Sequence, residues 1–182
     1  LGSEEIVLVT PSDHLIKDEA AYRSVIERAQ KLASEDNLVT FGIKPTFAET
    51  GFGYIEVDNK DSHPTHALAS GVSAFSARAF HEKPDLETAQ KYLKTGNYYW
   101  NSGMFCFKAG VFLEELQKYS PDIFDACKTA LQNANMDGMI RIKHEDMAAI
   151  PDDSIDYAVM EKSARVKVVP SDIGWSDVGS FD

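Results

Sequence analysis

The sequence predicts an α/β fold with a mixed, mainly parallel sheet, and three observations carry that prediction. The β-branched run Ile6-Val-Leu-Val-Thr10 stops at the polar loop Pro11-Ser-Asp-His14, which is the pattern of a buried strand meeting a loop. Apolar residues at Tyr22, Val25, Ile26, Ala29, Leu32 and Ala33 then recur at helical spacing, and Asp36-Asn37 is a polar stop before a second strand, Leu38 to Ile43. Such a β-α-β unit sets its second strand parallel to its first through a right-handed crossover. Further along, strand and helix signals go on alternating.

Between Lys44 and Pro84 the pattern changes to short strand candidates, Tyr54 to Val57 and Val72 to His81, around Gly51, Gly53 and the polar stretch Asp58 to Thr65. A small hairpin-like, β-rich insert is expected there. Helices are predicted over Asp85 to Leu93, where Asp85 follows Pro84 and can cap, over Ala109 to Tyr119, and over Pro121 to Ala134 behind a Ser120 cap. Tyr99 to Phe107 reads as a strand, Ser154 to Lys162 as a short helix, and Arg165 to Val169 as the last clear strand. Asn133 to Pro151 fits neither period. No internal repeat and no long polar linker is present, so residues 1–182 are expected to be one domain.

Composition narrows the function. Hydrophobic residues make up 43% and charged ones 26%, enough for a core and unlike a disordered chain. The formal net charge of -11 repels phosphate backbones and anionic membrane surfaces, so nucleic-acid and membrane partners are not expected. No apolar run approaches the roughly 20 residues of a membrane span. No signal-peptide pattern is visible, and cytoplasm is the expected compartment. Cys106 and Cys127 sit among apolar neighbours without ligand spacing, and both are expected to be reduced core residues.

Five segments carry candidate chemistry. Asp13, in the loop after the first strand, lies where open α/β sheets bind ligands, as a metal ligand or as a helix cap. Glu49-Thr-Gly-Phe-Gly-Tyr54 brings together Gly51 and Gly53, which suits either close approach of a ligand or a bulge. In Phe80-His-Glu-Lys-Pro84, strand alternation sets Glu82 and Lys83 on opposite faces rather than in one ion pair, free to reach sugar and phosphate; the alternative is a solvated turn. Trp100-Asn-Ser-Gly-Met-Phe105 buries Asn101, whose amide needs partners such as a ligand hydroxyl. Gly174-Trp-Ser-Asp-Val-Gly179 supplies Asp177, a second acidic loop position, and two such carboxylates suit one Mg²⁺.

In order and wording, these segments together with Ser154-Ile-Asp-Tyr-Ala-Val-Met-Glu161 resemble the sugar-nucleotide pyrophosphorylases, most closely the bacterial mannose-1-phosphate guanylyltransferases often fused to a phosphomannose isomerase. The resemblance runs over essentially the whole chain. It implies a Rossmann-like nucleotidyltransferase fold whose β-rich insert binds sugar. The implied activity joins GTP and mannose 1-phosphate into GDP-mannose and pyrophosphate. Asp13 and Asp177 would hold Mg²⁺, Gly53 would meet the sugar through its backbone, Glu82 and Lys83 would contact hexose hydroxyls and the sugar phosphate, and Asn101 would hold a further hydroxyl. Catalysis would then rest on Asp13, Asp177 and Lys83. A homo-oligomer and a fused isomerase domain are compatible with the family. The alternatives are a pyrophosphorylase for another hexose 1-phosphate and nucleotide, or a catalytically silent homologue that binds a sugar nucleotide and regulates a partner.

One departure from the family pattern stands out. The glycine-rich signature resembling Gly-Gly-x-Gly-Thr-Arg-Leu-x-Pro, which cradles the triphosphate, is not in this chain. Leu1–Asp182 is therefore expected to lack the N-terminal nucleotide-binding part and to be inactive alone. Phe52 stands where many relatives are expected to carry Tyr.

Overall fold

The computed structural model describes residues 2–58 and 74–178, so the expected polar stretch around 59–65 and the start of the second insert strand lie outside the described residues. Two compact units form, Leu1–Ala109 with Ala164–Asp182, and Gly110–Ser163.

The first unit holds a six-stranded sheet in the order β1-β6-β3-β7-β5-β4, where β1 is Ile6–Val9, β3 Leu38–Ile43, β4 Tyr54–Val57, β5 Phe75–His81, β6 Tyr98–Lys108 and β7 Val166–Pro170. The sheet is mixed, as expected, but mainly antiparallel rather than mainly parallel, because β5 and β6 run against the strands they pair with. β1, β3, β4 and β7 run one way and β5 and β6 the other, yet β3–β7 is the single pairing of parallel neighbours among the described residues. The expected β-α-β unit is modified accordingly: β1 and β3 are parallel in direction, but β6 lies between them and is antiparallel to both. The insert is a hairpin of β4 and β5, as read from sequence. It is not peripheral, because β4 also pairs with β6 and β5 with β7, closing a ring of pairings through β3.

Strand alternation sorts the core onto two faces. On one, α1 (Glu19–Ser34) and α2 (Leu86–Thr95) belong to a cluster with Phe41, Ile43, Tyr54, Trp100, Met104 and Val169. On the other, Ile55, Val57 and Val168 pack with Phe75, Phe80 and Tyr99. Gly42 permits the closest approach, since a Cβ there would meet Val168 Cγ1 at 2.6 Å and Tyr99 Cβ at 2.9 Å. Asp18 caps α1 by accepting the Ala21 N–H at 2.9 Å, and Asp85 caps α2 by accepting that of Thr88 at 2.8 Å.

Two expectations need correction here. β1 is not buried: Ile6, Leu8 and Val9 keep 37–39% of their surface exposed, because β1 is an edge strand with β6 as its one neighbour among the described residues. Cys106 is buried as expected, whereas Cys127 is exposed, on the outward side of the amphipathic α4 (Pro121–Gln132).

In the second unit α3 (Ala109–Tyr119) and α4 match the predicted helices. Ser120 occupies the cap position but does not cap; its hydroxyl instead donates to the Ala158 carbonyl at 2.9 Å. The ambiguous stretch after α4 is an irregular turn closed by an Asn135–Arg141 bridge, followed by α5 (His144–Ala148). The short helix expected over 154–162 is one π-helical turn, Asp156–Met160.

Candidate functional site

Two very short strands position the acidic loops. β2 (Leu15–Ile16) and β8 (Trp175–Ser176) pair antiparallel, Leu15 opposite Ser176 and Ile16 opposite Trp175. The ribbon is lengthened by the Lys17 N–H donating to Gly174 O at 3.3 Å and the Asp18 N–H donating to Ile173 O at 3.1 Å. Gly174 has φ +61°, and a Cβ on it would meet Lys17 Cβ at 2.9 Å; glycine is what lets the strands lie this close. Asp13 and Asp177 therefore leave the same end of one ribbon on adjacent backbones. Asp13 is exposed and Asp177 half-buried. The α1 cap is Asp18, so Asp13 does not serve as that cap.

The residues expected to meet sugar gather on the hairpin side. The Asn101 N–H donates to Gly53 O at 2.8 Å, and a Cβ on Gly53 would lie 2.8 Å from Glu82 Oε2 and 3.6 Å from Asn101 Cβ. Gly53, Glu82 and Asn101 are thus neighbours although they come from three different segments. Asn101 is half-buried rather than buried, and its Oδ1 accepts the Gly103 N–H at 3.1 Å. Gly103 takes φ +68°, and Pro11 of the first loop lies beside it: a Cβ there would stand in ordinary contact, 3.6 Å from Pro11 Cγ.

Glu82 and Lys83 depart from their sequence reading. Lys83 Nζ lies 3.5 Å from Glu82 Oε1, so the two do form an exposed ion pair. Strand alternation does not apply, since β5 ends at His81 and Lys83 takes φ +41° just before Pro84. A left-handed backbone at a non-glycine residue is a local strain of the kind that accumulates at functional positions.

The sequence reading missed a row of rings that runs through the same loops. His14 and Trp175 meet edge-on at 5.3 Å, Trp175 and Phe52 at 5.3 Å, Phe52 and Trp100 at 5.2 Å, and Trp100 and Phe47 at 5.0 Å. Its signal was in plain view, because an aromatic residue or histidine lies within two positions of Asp13, Gly53, Asn101 and Asp177. Trp100 and Trp175 also line a cavity of about 420 Å³ with Ile43, Thr46, Ser171 and Asp172, at the carboxyl ends of the parallel pair β3 and β7, the usual ligand position in such sheets.

Among the described residues no group of three or more His, Cys, Asp or Glu side chains is arranged to hold a metal. A pair of carboxylates on neighbouring loops fits a hard cation that takes one or two protein oxygens and fills its shell with water and phosphate, as Mg²⁺ does. It does not fit zinc or another ion that needs a complete protein cage.

The first unit is thus an α/β sheet structure whose polar loops are gathered at strand ends. The chain belongs to the nucleotidyl transferase family, matching its model over residues 1–182. It is 49% identical over 181 residues to the xanthan biosynthesis protein XanB of Xanthomonas campestris pv. campestris, covering 99% of this chain and 36% of that protein. It is likewise 49% identical over 180 residues to the mannose-1-phosphate guanylyltransferase of Escherichia coli K12, covering 98% of this chain and 37% of that protein. A crystal structure from Helicobacter pylori described as mannose-6-phosphate isomerase superposes with a TM-score of 0.84 at 38% identity, over 97% of this chain and 65% of that one. One from Thermus thermophilus described as mannose-1-phosphate geranyltransferase gives 0.81 at 33%, over 97% and 48%. The chain spans little more than a third of the curated relatives it matches. The resemblance read from the six segments, and the fold it implied, are borne out.

Proposed function

We propose that the complete protein transfers GMP from GTP to mannose 1-phosphate, giving GDP-mannose and pyrophosphate. The observation that carries this reading is the gathering of Gly53, Glu82 and Asn101 beside the ribbon that joins the Asp13 and Asp177 loops, in a chain 49% identical to a mannose-1-phosphate guanylyltransferase.

In this account a phosphate oxygen of mannose 1-phosphate attacks the α-phosphorus of GTP in line. The bond to the β-phosphate oxygen breaks, and pyrophosphate leaves with that electron pair. No covalent enzyme intermediate is needed, so the protein's part is positioning and charge neutralisation. Glu82 and Asn101 hold hexose hydroxyls, and Gly53 lets the sugar lie against backbone that a side chain would cover. Lys83 brings its ammonium to the acceptor phosphate, exchanging its pairing with Glu82 for a stronger anion. Asp13 and Asp177 would hold Mg²⁺, whose chemistry when bound is to neutralise the two anions that must approach each other.

The nucleotide-binding part is proposed to lie in polypeptide outside Leu1–Asp182. Support comes from β1, whose four consecutive aliphatic residues have the composition of an interior strand yet pair on one side alone among the described residues, with Ile6, Leu8 and Val9 exposed. Residues 1–182 then form most of one nucleotidyltransferase domain. No helix among the described residues is long and apolar enough to cross a membrane, and cytoplasm is the proposed compartment. A fused isomerase domain and a homo-oligomer belong to the same proposal; the Helicobacter pylori likeness supports the former.

The test is pyrophosphate release from GTP, Mg²⁺ and mannose 1-phosphate, measured for Leu1–Asp182 beside the full-length protein. Turnover by the full-length protein alone is expected. Equal rates from both would mean that the nucleotide site lies within these residues, and no turnover with this sugar but turnover with another hexose 1-phosphate would reassign the substrate.

A further inference from the structure

The ring row connects residues that the functional reading assigns to two different ligands. Trp175 Nε1–H donates to His14 Nδ1 at 3.1 Å, which leaves the imidazole proton on Nε2. That bond is a side-chain tie across a ribbon whose paired strands are two residues each, too short to hold its own geometry. From Trp175 the contacts pass to Phe52, between Gly51 and Gly53, and on to Trp100, the neighbour of Asn101. Glu49 Oε1 accepts the Thr50 and Gly51 N–H groups at 2.8 and 2.7 Å and shapes the start of this loop; beyond it glycines flank Phe52, so the Phe52 ring is the side chain through which the loop touches Trp100 and Trp175. Trp100 is 5% exposed and sits in the main core cluster, which grounds the row on the sheet.

We propose that His14, Trp175 and Phe52 are positioning residues that couple the cation loops to the sugar loops, so that ordering Asp13 and Asp177 around a divalent cation also sets Gly53 and Asn101 for the sugar phosphate. The inference rests on the reading of Asp13 and Asp177 as the cation site. It adds that occupancy of that site raises affinity for the sugar phosphate through these rings. Edge-to-face ring contacts transmit position because their geometry is directional and their packing dense. Loss of one ring leaves each loop folded but independent.

The probe is Mg²⁺ alone, titrated into the full-length protein with backbone amides followed by NMR, together with mannose 1-phosphate affinity with and without Mg²⁺. In the wild type, Mg²⁺ is expected to move the amides of Asp13 and Asp177 and also those of Gly53 and Asn101, and to tighten sugar-phosphate binding by about fivefold or more. In Phe52→Leu the first pair still moves, the second does not, and the tightening falls to near unity; Phe52→Tyr restores both. Trp175→Phe, which keeps a ring and deletes the N–H, weakens Mg²⁺ binding, as does His14→Ala, while His14→Asn, with an amide oxygen near the Nδ1 position, recovers it. Wild-type coupling in Phe52→Leu together with wild-type Mg²⁺ binding in Trp175→Phe would overturn the proposal alone. A wild type in which Mg²⁺ leaves Asp13 and Asp177 unmoved would instead overturn the cation-site reading, and the coupling with it.

Discussion

A Cβ placed on Gly53 would stand 2.8 Å from Glu82 Oε2, so the carboxylate of Glu82 lies directly over the bare backbone of the Gly-Phe-Gly loop. The contact is with the far end of a flexible side chain. Gly53→Ala is therefore expected to fold with unchanged circular dichroism while displacing Glu82, raising KM for mannose 1-phosphate by about 10- to 10²-fold. A variant with wild-type KM would remove both residues from the sugar site.

Glu82→Ala and Asn101→Ala are expected to weaken mannose 1-phosphate binding by about 1 to 3 kcal/mol each in the full-length protein, because each leaves ligand hydroxyls unpaired. The two residues meet through Gly53, so their effects should not add. Calorimetric titration of both single variants and the double variant checks this, and loss of fold at full sugar affinity would make the residues structural.

How legible this was from sequence differs from element to element. α1, α3 and β3 were readable because a strong period, or a β-branched run, ended at a recognisable stop, and β6 because its aromatic-rich run lies between two predicted helices. The placement of β6 between β1 and β3 was not, since strand order is decided by pairings between residues such as Val9 and Phe105 that are far apart in sequence. The Glu82–Lys83 pair was misread because a positive φ at Lys83 leaves no periodic trace. Cys127 was misread because apolar neighbours in sequence do not share a face on a helix. The ring row was present as letters, but only the fold brings Trp175 to His14.

Gly174→Ala should destabilise the ribbon end of the first unit. At φ +61°, with Lys17 Cβ at 2.9 Å from the new methyl, backbone strain and overlap act together, costing about 1 to 3 kcal/mol. Urea denaturation measures it, and an unchanged midpoint would show that the ribbon relaxes freely.

The two thiols should separate cleanly. Burial pushes the Cys106 thiol up to about 11, so almost no thiolate exists at neutral pH, whereas Cys127 is exposed. Iodoacetamide is expected to modify Cys127 in the native protein and Cys106 only after denaturation; mass spectrometry of the native digest decides it.

Stability should fall on both sides of neutrality, for groups whose shifts have opposite signs. Burial raises Tyr22, Tyr92, Tyr98 and Tyr99 above their ordinary 10.0 and Cys106 above 9.0; the stability these neutral groups contribute is complete below those values and lost as pH rises through the folded ones. Hydrogen bonding from Lys108 holds Asp36, and hydrogen bonding from Thr88 holds Asp85, below 3.8; their contribution is present above that value and lost as pH falls through the folded one. Tm is expected to be flat from about pH 5 to 8.5 and to decline outside that window. A Tm that still rises at pH 10 would contradict the alkaline half.

The central claim is that Asp13 and Asp177 hold one divalent cation beside a sugar phosphate bound at Gly53, Glu82 and Asn101. Its most direct test is a crystal structure of the full-length protein with GDP-mannose and Mn²⁺, with the metal located by anomalous scattering. The account predicts one peak between the two aspartates, about 2.0 to 2.2 Å from an oxygen of each, touching the diphosphate, with the mannose against Gly53. A peak bound by neither aspartate, or a mannose seated away from Gly53 and Asn101, would contradict it.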